Sequence, residues 1–226
     1  EYLMLTHFLG ARDEERWKRI ANYLLREQRP DGTWGIYFAG PPDINATVES
    51  YFALKLAGVP SDDPRMRKAR EWVVAAGGVP KVRVFTKIWL ALFGQWDWRG
   101  VPVLPPELMF LPHWFPLNIY DFASWARATI VPMLIILSER PVCPVPAGAQ
   151  IDELYPDGRD RTQYEMPAPK EVFSWKGFFH TADGLLRRYN RVAVAPLREA
   201  ANRAAEQWIV ARQEADAVVA ATFTAT

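Results

Sequence analysis

The sequence predicts an all-α protein, a toroid built of α/α hairpins. Three observations carry this. Apolar residues recur at helical spacing along most of the chain and almost never alternate as in a strand. Stops at Pro and Gly cut the pattern into helices of roughly ten to twenty residues with short turns between them. A helix–turn unit also recurs in part.

The elements follow in order. Residues 1–9 open inside an apolar pattern (Tyr2, Leu3, Leu5, Phe8, Leu9) and read as the tail of a helix. Residues 13–28 carry Trp17, Ile20, Ala21, Leu24 and Leu25 on a helical face, and Pro30-Asp31-Gly32 stops them. Residues 46–57 form a helix through Val48, Tyr51, Phe52, Leu54 and Leu56, ended by Gly58. Asp63-Pro64 is a cap followed by proline at the first helical position. The helix it opens holds Met66, Ala69, Trp72 and Val73 and ends at Gly77-Gly78, and another covers 82–93. Residues 96–116 contain Pro102, Pro105, Pro106, Pro112 and Pro116, and so form an ordered connection. Residues 119–139 are apolar on nearly all sides, which predicts a central buried helix bent at Pro132. Residues 141–169 read as a Pro-rich loop, and 171–190 and 196–213 as the last helices.

Composition excludes several functions. Half of the 226 residues are hydrophobic and 23% charged, a globular balance. Lys+Arg 27 against Asp+Glu 26 leaves no positive excess to neutralise phosphates, so nucleic acid is not an expected partner. One cysteine, Cys143, excludes an internal disulfide framework, and His7, His113 and His180 share no metal-ligand spacing. No cofactor and no metal are expected. The longest apolar run falls short of the ~20 residues of a membrane span. Ten Trp and nineteen Pro suit helices tied by rigid, aromatic-rich connections.

The recurring unit runs from Tyr23-Leu24 through Gln28 and Gly32 to Trp34. The Gln28 amide can cap the exposed N–H groups of the next helix. Trp34 can stack on that amide while its indole N–H finds a partner. Lys68-Ala69 with Glu71-Trp72-Val73 weakly copies its first half, and Arg203-Ala204, Trp208-Ile209 and Gln213 copy it more clearly. Counting on, Gly is due at 217 and Trp at 219, where the chain has Ala217 and Val219. Residues 217–226 are therefore expected to be a divergent tail foreign to the native protein, the product of a shifted frame or an assembly error.

The unit resembles the QW motif of the triterpene cyclases. The likeness is carried further by Gly40-Pro41-Pro42-Asp43, Thr86-Lys87-Ile88-Trp89-Leu90-Ala91-Leu92, Pro105-Pro106-Glu107-Leu108-Met109-Phe110 and Tyr120-Asp121-Phe122-Ala123-Ser124-Trp125-Ala126-Arg127-Ala128-Thr129. Together these are similar to bacterial squalene–hopene cyclase, and to its second α/α-barrel domain. On that resemblance residues 1–216 form a partial barrel, cut at both ends and open where a partner barrel domain docks. The family cyclises squalene to pentacyclic hopene and hopanol. An aspartate of an Asp-x-Asp-Asp motif protonates an alkene, aromatic faces hold the travelling cation, and water or a proton acceptor ends the cascade. No Asp-x-Asp-Asp occurs in this chain. The resemblance places the acid in the other barrel domain, so the chain alone is expected to be inactive.

The resemblance also implies roles for single residues. Trp125 lines the substrate cavity, where an indole face attracts a cation by ~0.5–2 kcal/mol; its alternative is a core tryptophan at a domain interface. Phe122 and Ile130, eight apart and so on one helical face, form the entrance constriction, with plain packing as the alternative. Glu1, Glu49 and Arg83 form a polar network that orients water at the end of the cavity, or else a structural ion pair. Trp89 buttresses Arg83 or packs in the core. Phe173, Trp175, Phe178 and Phe179, with Arg187, Arg188 and Arg191 behind them, suit a helix lying in a membrane interface, or else the barrel interior. The implied partners are squalene or a similar polyprene, the membrane surface, the second barrel domain and a homodimer mate. The implied location is monotopic, on the cytoplasmic side of a bacterial membrane. A non-enzymatic helical-repeat domain binding an apolar ligand stays open. Prenyltransferase β-subunits share the toroid but need a His/Cys/Asp zinc site that this chain does not offer.

Overall fold

The structure, a computed structural model, describes residues 1–115, 118–165 and 174–213, and the backbone alone at 175, 176 and 179. The described residues form α-helices and short 3₁₀ turns without a strand: α1 Tyr2–Phe8, α2 Glu14–Glu27, α3 Ile44–Leu56, α4 Pro64–Ala75, α5 Val84–Leu92, α6 Ser124–Glu139, α7 Trp175–Val192 and α8 Ala195–Val210. The all-α class read from the sequence is the class observed.

Local chemistry sets where the helices begin. Asp13, Asp43 and Asp63 stand just before α2, α3 and α4, and each carboxylate accepts a backbone N–H of the first turn, from Arg16, Ala46 and Arg65. Pro64 opens α4, where its missing N–H costs nothing. Ser174 caps α7 by accepting from the Gly177 N–H at 3.1 Å.

The chain folds as two units. The first joins Glu1–Val101 to Val142–Met166, and the second joins Pro102–Pro141 to Pro167–Thr226. The chain passes between the units three times; the first two crossings lie in proline-rich chain, at Pro102, Pro105 and Pro106 and at Pro141, Pro144 and Pro146, where a helix cannot run through, and the third lies outside the described residues. The division thus runs through residues 1–216, which the sequence reads as one barrel domain.

In the first unit α3 is the central helix. Every residue from Tyr51 to Leu56 is buried, Lys55 included, and α1, α2 and α4 pack around it. Residues 142–165 have no α-helix and lie against this core through polar anchors. Cys143 N–H donates to the Leu92 carbonyl, Ile151 N–H to Gln95 Oε1, and the Tyr155 hydroxyl to the Gln95 carbonyl. Gly78, at φ +70°, faces the Leu154 carbonyl so closely that a Cβ would stand 2.5 Å from it. Glu153 enters the core beside Lys55 (Nζ–Oε1 2.5 Å) and also accepts from the Tyr51 hydroxyl at 2.8 Å.

In the second unit α6 packs on α8 and on the 3₁₀ turn Pro106–Phe110. Ile119, Val131, Leu134 and Ala205 form its core, with Leu108, Met109, Ile130 and Trp208 packed around them. Arg198 of α8 pairs with Glu107 at 3.1 Å and donates to Asn190 of α7 at 2.5 Å. Asp183 of α7 accepts the Val103 N–H at 2.9 Å and pairs with Arg187.

The reading of 119–139 as a central buried helix needs correction. Residues 119–121 form a 3₁₀ turn, and the helix starts at Ser124. Its fully buried residues are Val131, Leu134 and Leu137, a single stripe at three-residue spacing. α8 and the 106–110 turn cover that face; Ile130, Met133, Ile135 and Ile136 are only partly buried, and Trp125 is exposed.

Candidate functional site

The QW turn is the best-formed feature at the end of α2. Trp34 is 5% exposed, and its indole N–H donates to the Leu24 carbonyl at 2.9 Å. That carbonyl is among the last four of α2, which have no partner within the helix, so the indole satisfies the helix end. The Gln28 amide works opposite to expectation. Its Nε2 donates to the Gly32 carbonyl at 2.8 Å and to the Arg65 carbonyl of α4 at 3.0 Å. The side chain therefore ties the turn to α4 as a donor rather than capping N–H groups as an acceptor. Gly32, at φ +87°, lies so close to α4 that a Cβ would stand 2.6 Å from Lys68 Cβ. Only glycine fits both the angle and the contact. In the partial copy on α8, Trp208 takes the place of Tyr23. Each ring is covered by an arginine of its own helix, Arg26 over Tyr23 at 5.2 Å and Arg212 over Trp208 at 4.1 Å. Gln213 is the last described residue there, and the tail 217–226 lies outside the described residues.

Glu49, in the second turn of α3, lies within electrostatic reach of Glu1, which precedes α1, and of Arg83, at the start of α5. Arg83 stands at the N-cap position of α5 without a side-chain cap bond, and its backbone N–H donates to Asn45 Oδ1 at 2.7 Å. Asn45 lies one turn before Glu49 on α3. Glu49 accepts from the Thr86 hydroxyl at 2.5 Å. Burial pushes the Glu49 carboxyl above its ordinary value of 4.5; the Thr86 hydrogen bond opposes this, the Glu1 charge adds to it, and the Arg83 charge opposes it. Glu1 and Arg83 are exposed and Glu49 is half-buried, so the three present ionisable groups at an accessible edge of this unit. Sequence reasoning missed Thr86 and Asn45. Their signal is positional: Asn45 and Glu49 stand four apart on α3, opposite Arg83 and Thr86, three apart at the start of α5. Trp89 lies half-buried on α5 two turns further along.

The candidates of the second unit lie on α6 and just before it. Trp125, in the first turn of α6, is 75% exposed. Ile130 packs on the core of this unit. Phe122 precedes α6 in extended conformation (φ −82°, ψ 146°), so helical spacing does not put it on one face with Ile130.

On α7, Phe178 is 51% exposed. Phe173 lies outside the described residues, and at Trp175 and Phe179 only the helix backbone is described. Leu185 and Val192 are also exposed, and both escaped the sequence reading. Phe178, Leu185 and Val192 are seven apart and so lie on one face of α7. No helix among the described residues is long and apolar enough to cross a membrane.

The family model for the squalene–hopene cyclase N-terminal domain matches residues 1–226. The chain belongs to the squalene–hopene cyclase family. It is 43% identical over 220 residues to the squalene–hopene cyclase of Alicyclobacillus acidocaldarius, covering 96% of this chain and 33% of that protein. It is 39% identical over 212 residues to a dammaradiene synthase of Dryopteris crassirhizoma, covering 94% of this chain and 31% of that one. The squalene–hopene cyclase of Zymomonas mobilis is 40% identical over 189 residues, 83% of this chain and 28% of its own length. The chain thus spans about a third of the relatives it matches. Within this cyclase family portion, the QW turn orders helix ends while the Glu49 cluster offers carboxylates and a guanidinium at one edge.

Proposed function

We propose that this chain acts as the N-terminal part of a triterpene cyclase that folds squalene and cyclises it through a protonation-started carbocation cascade to hopene and hopanol, a hopanoid-forming step. The acid of an Asp-x-Asp-Asp motif comes from a second barrel domain, and this part supplies cavity wall and the terminal polar network. The observation that carries the reading is the Glu49 cluster. Two carboxylates and a guanidinium drawn from separate elements suit the orientation of a water that ends the cascade. Trp125 offers a cation an indole face, and Phe122 and Ile130 an apolar entrance. Trp89 stands on the α5 helix that Arg83 opens. Cyclisation of squalene by the full-length product of the gene tests the reading; the 226-residue chain alone, without the acid motif, is expected to give no triterpene.

The enzyme sits monotopically on the cytoplasmic face of a bacterial membrane, and a homodimer is its assembly. The support is the exposed Phe178–Leu185–Val192 face of α7, with Arg187, Arg188 and Arg191 on the same helix. Apolar surface beside positive charge suits a helix lying among lipid headgroups. The double substitution Phe178→Ser and Leu185→Ser is expected to abolish flotation of the full-length protein with liposomes, since each large apolar side chain transferred is worth ~1.5–3 kcal/mol. Undiminished flotation with unchanged helicity would count against this attachment.

A further inference from the structure

We propose that Thr86 is a positioning residue of the cyclase, whose hydroxyl holds the Glu49 carboxylate in the orientation that ends the cascade. This rests on the terminal-network reading given above.

Among the described residues, threonine hydroxyls mostly bond within their own stretch of chain. Thr6, Thr47, Thr129, Thr162 and Thr181 each donate to the carbonyl four residues earlier. That local bond is the ordinary outlet for a threonine hydroxyl in helical chain. Thr33 instead donates to the Asp31 carboxylate two residues away, still a local bond, and Thr86 departs from both patterns. It is fully buried and donates across to Glu49 on another helix, at 2.5 Å. Its place explains the freedom. Arg83 stands at the N-cap position of α5, so Thr86 is the third helical residue and the carbonyl four back, that of Val82, lies outside the helix. The hydroxyl therefore reaches across to α3 instead.

A second bond reinforces the first. The Arg83 N–H donates to Asn45 Oδ1 at 2.7 Å, one turn before Glu49. Two rungs, 45 to 83 and 49 to 86, thus fix the start of α5 against α3 and set both the Arg83 backbone and the Glu49 carboxylate. A hydroxyl has one proton, and giving it to Oε1 selects one carboxylate rotamer. The length suits a charge-assisted bond to an ionised acceptor. The charged groups facing Glu49 are Glu1, which favours its protonated form, and Arg83, which favours its ionised form. Thr86 is the neutral donor that favours the ionised form without adding a charge.

The test uses the full-length cyclase with squalene as substrate. Thr86→Val keeps the β-branched shape and removes the hydroxyl. It is expected to lower turnover roughly tenfold, about the worth of one hydrogen bond to a charged group. It is also expected to change the alcohol-to-alkene ratio of the product and to move the acid limb of the pH–rate profile upward. Thr86→Ser is expected to restore all three. Thr86→Val with unchanged turnover, ratio and pH profile overturns the proposal. Glu49→Gln separates the two levels: if it alters the product ratio while Thr86→Val does not, the positioning role fails by itself, and if neither does, the network reading fails with it. Should Thr86→Val not fold, the unmutated protein decides. The Thr86 hydroxyl proton is expected to shift as the Glu49 carboxyl titrates, and an unmoved resonance overturns the proposal.

Discussion

Trp34→Ala is expected to destabilise the fold by about 3–5 kcal/mol, the usual cost of truncating a large buried aromatic. Two losses combine. The cavity removes apolar contacts where the QW turn meets the helices, and the Leu24 carbonyl loses the indole N–H that satisfied it. In a chain of this size each kcal/mol lowers the melting temperature by about 2–4 °C, so a fall on the order of 10 °C is expected. Tyr23→Ala, in the same motif but half exposed and covered only by the surface Arg26, is expected to cost under about 1 kcal/mol. Chemical denaturation of the two variants beside the unmutated protein checks this. Equal losses would mean that the motif does not act through the helix-end bond.

Glu153→Ala is the second large effect. Lys55 is almost wholly buried, its side chain 6% exposed, and its ammonium is held by a Glu153 carboxylate that is 24% exposed. Removing the carboxylate leaves a cation in the core, which costs about 3–5 kcal/mol. Glu153→Gln is expected to cost less, since an amide oxygen still accepts from Lys55 and Tyr51. The pH dependence follows from the direction of the shift. Burial works to raise the Glu153 carboxyl, but the hydrogen bonds from Lys55, from its own backbone N–H and from Tyr51 outweigh it and leave it below its ordinary 4.5. The folded state therefore binds the proton less tightly than the unfolded chain. The stabilisation is present above about 4.5 and is lost as pH falls through the folded value. Melting temperatures measured across that range should fall towards acid in the unmutated protein and less steeply in Glu153→Gln. Parallel curves would remove the ion pair from the account.

What the sequence made legible is chemistry that acts locally. The Asp63-Pro64 pair announces a helix start because a cap needs only its own first turn, while the caps Asp13 and Asp43 lack the proline that would mark them. The turn from Gln28 to Trp34 is legible because its parts lie within a few residues of one another. Glu49 and Arg83 were found through a family resemblance, since nothing local links an α3 carboxylate to the start of α5. The failures have the opposite character. A helix as apolar as 124–139 does not say which side will be covered, so the whole segment reads as buried although only Val131, Leu134 and Leu137 are. Phe122 and Ile130 were joined by helical counting across Ala123, whose extended backbone breaks the helix. Gln28 bonds α4 rather than the next helix, and as a donor rather than an acceptor, because an amide does either equally well and its partner is distant in sequence. Thr86 went unread, since a lone threonine in an apolar run carries no signal until its acceptor is seen.

The most direct measurement is product analysis of squalene incubated in ¹⁸O-labelled water with the full-length enzyme and with its Glu49→Gln variant. The account predicts pentacyclic alkene together with an alcohol carrying ¹⁸O from the unmutated enzyme. It predicts an altered share of labelled alcohol from Glu49→Gln, because the carboxylate that orients the terminal water has lost its charge. Squalene recovered unchanged from the unmutated enzyme, or an identical product ratio from a folded Glu49→Gln, would contradict it.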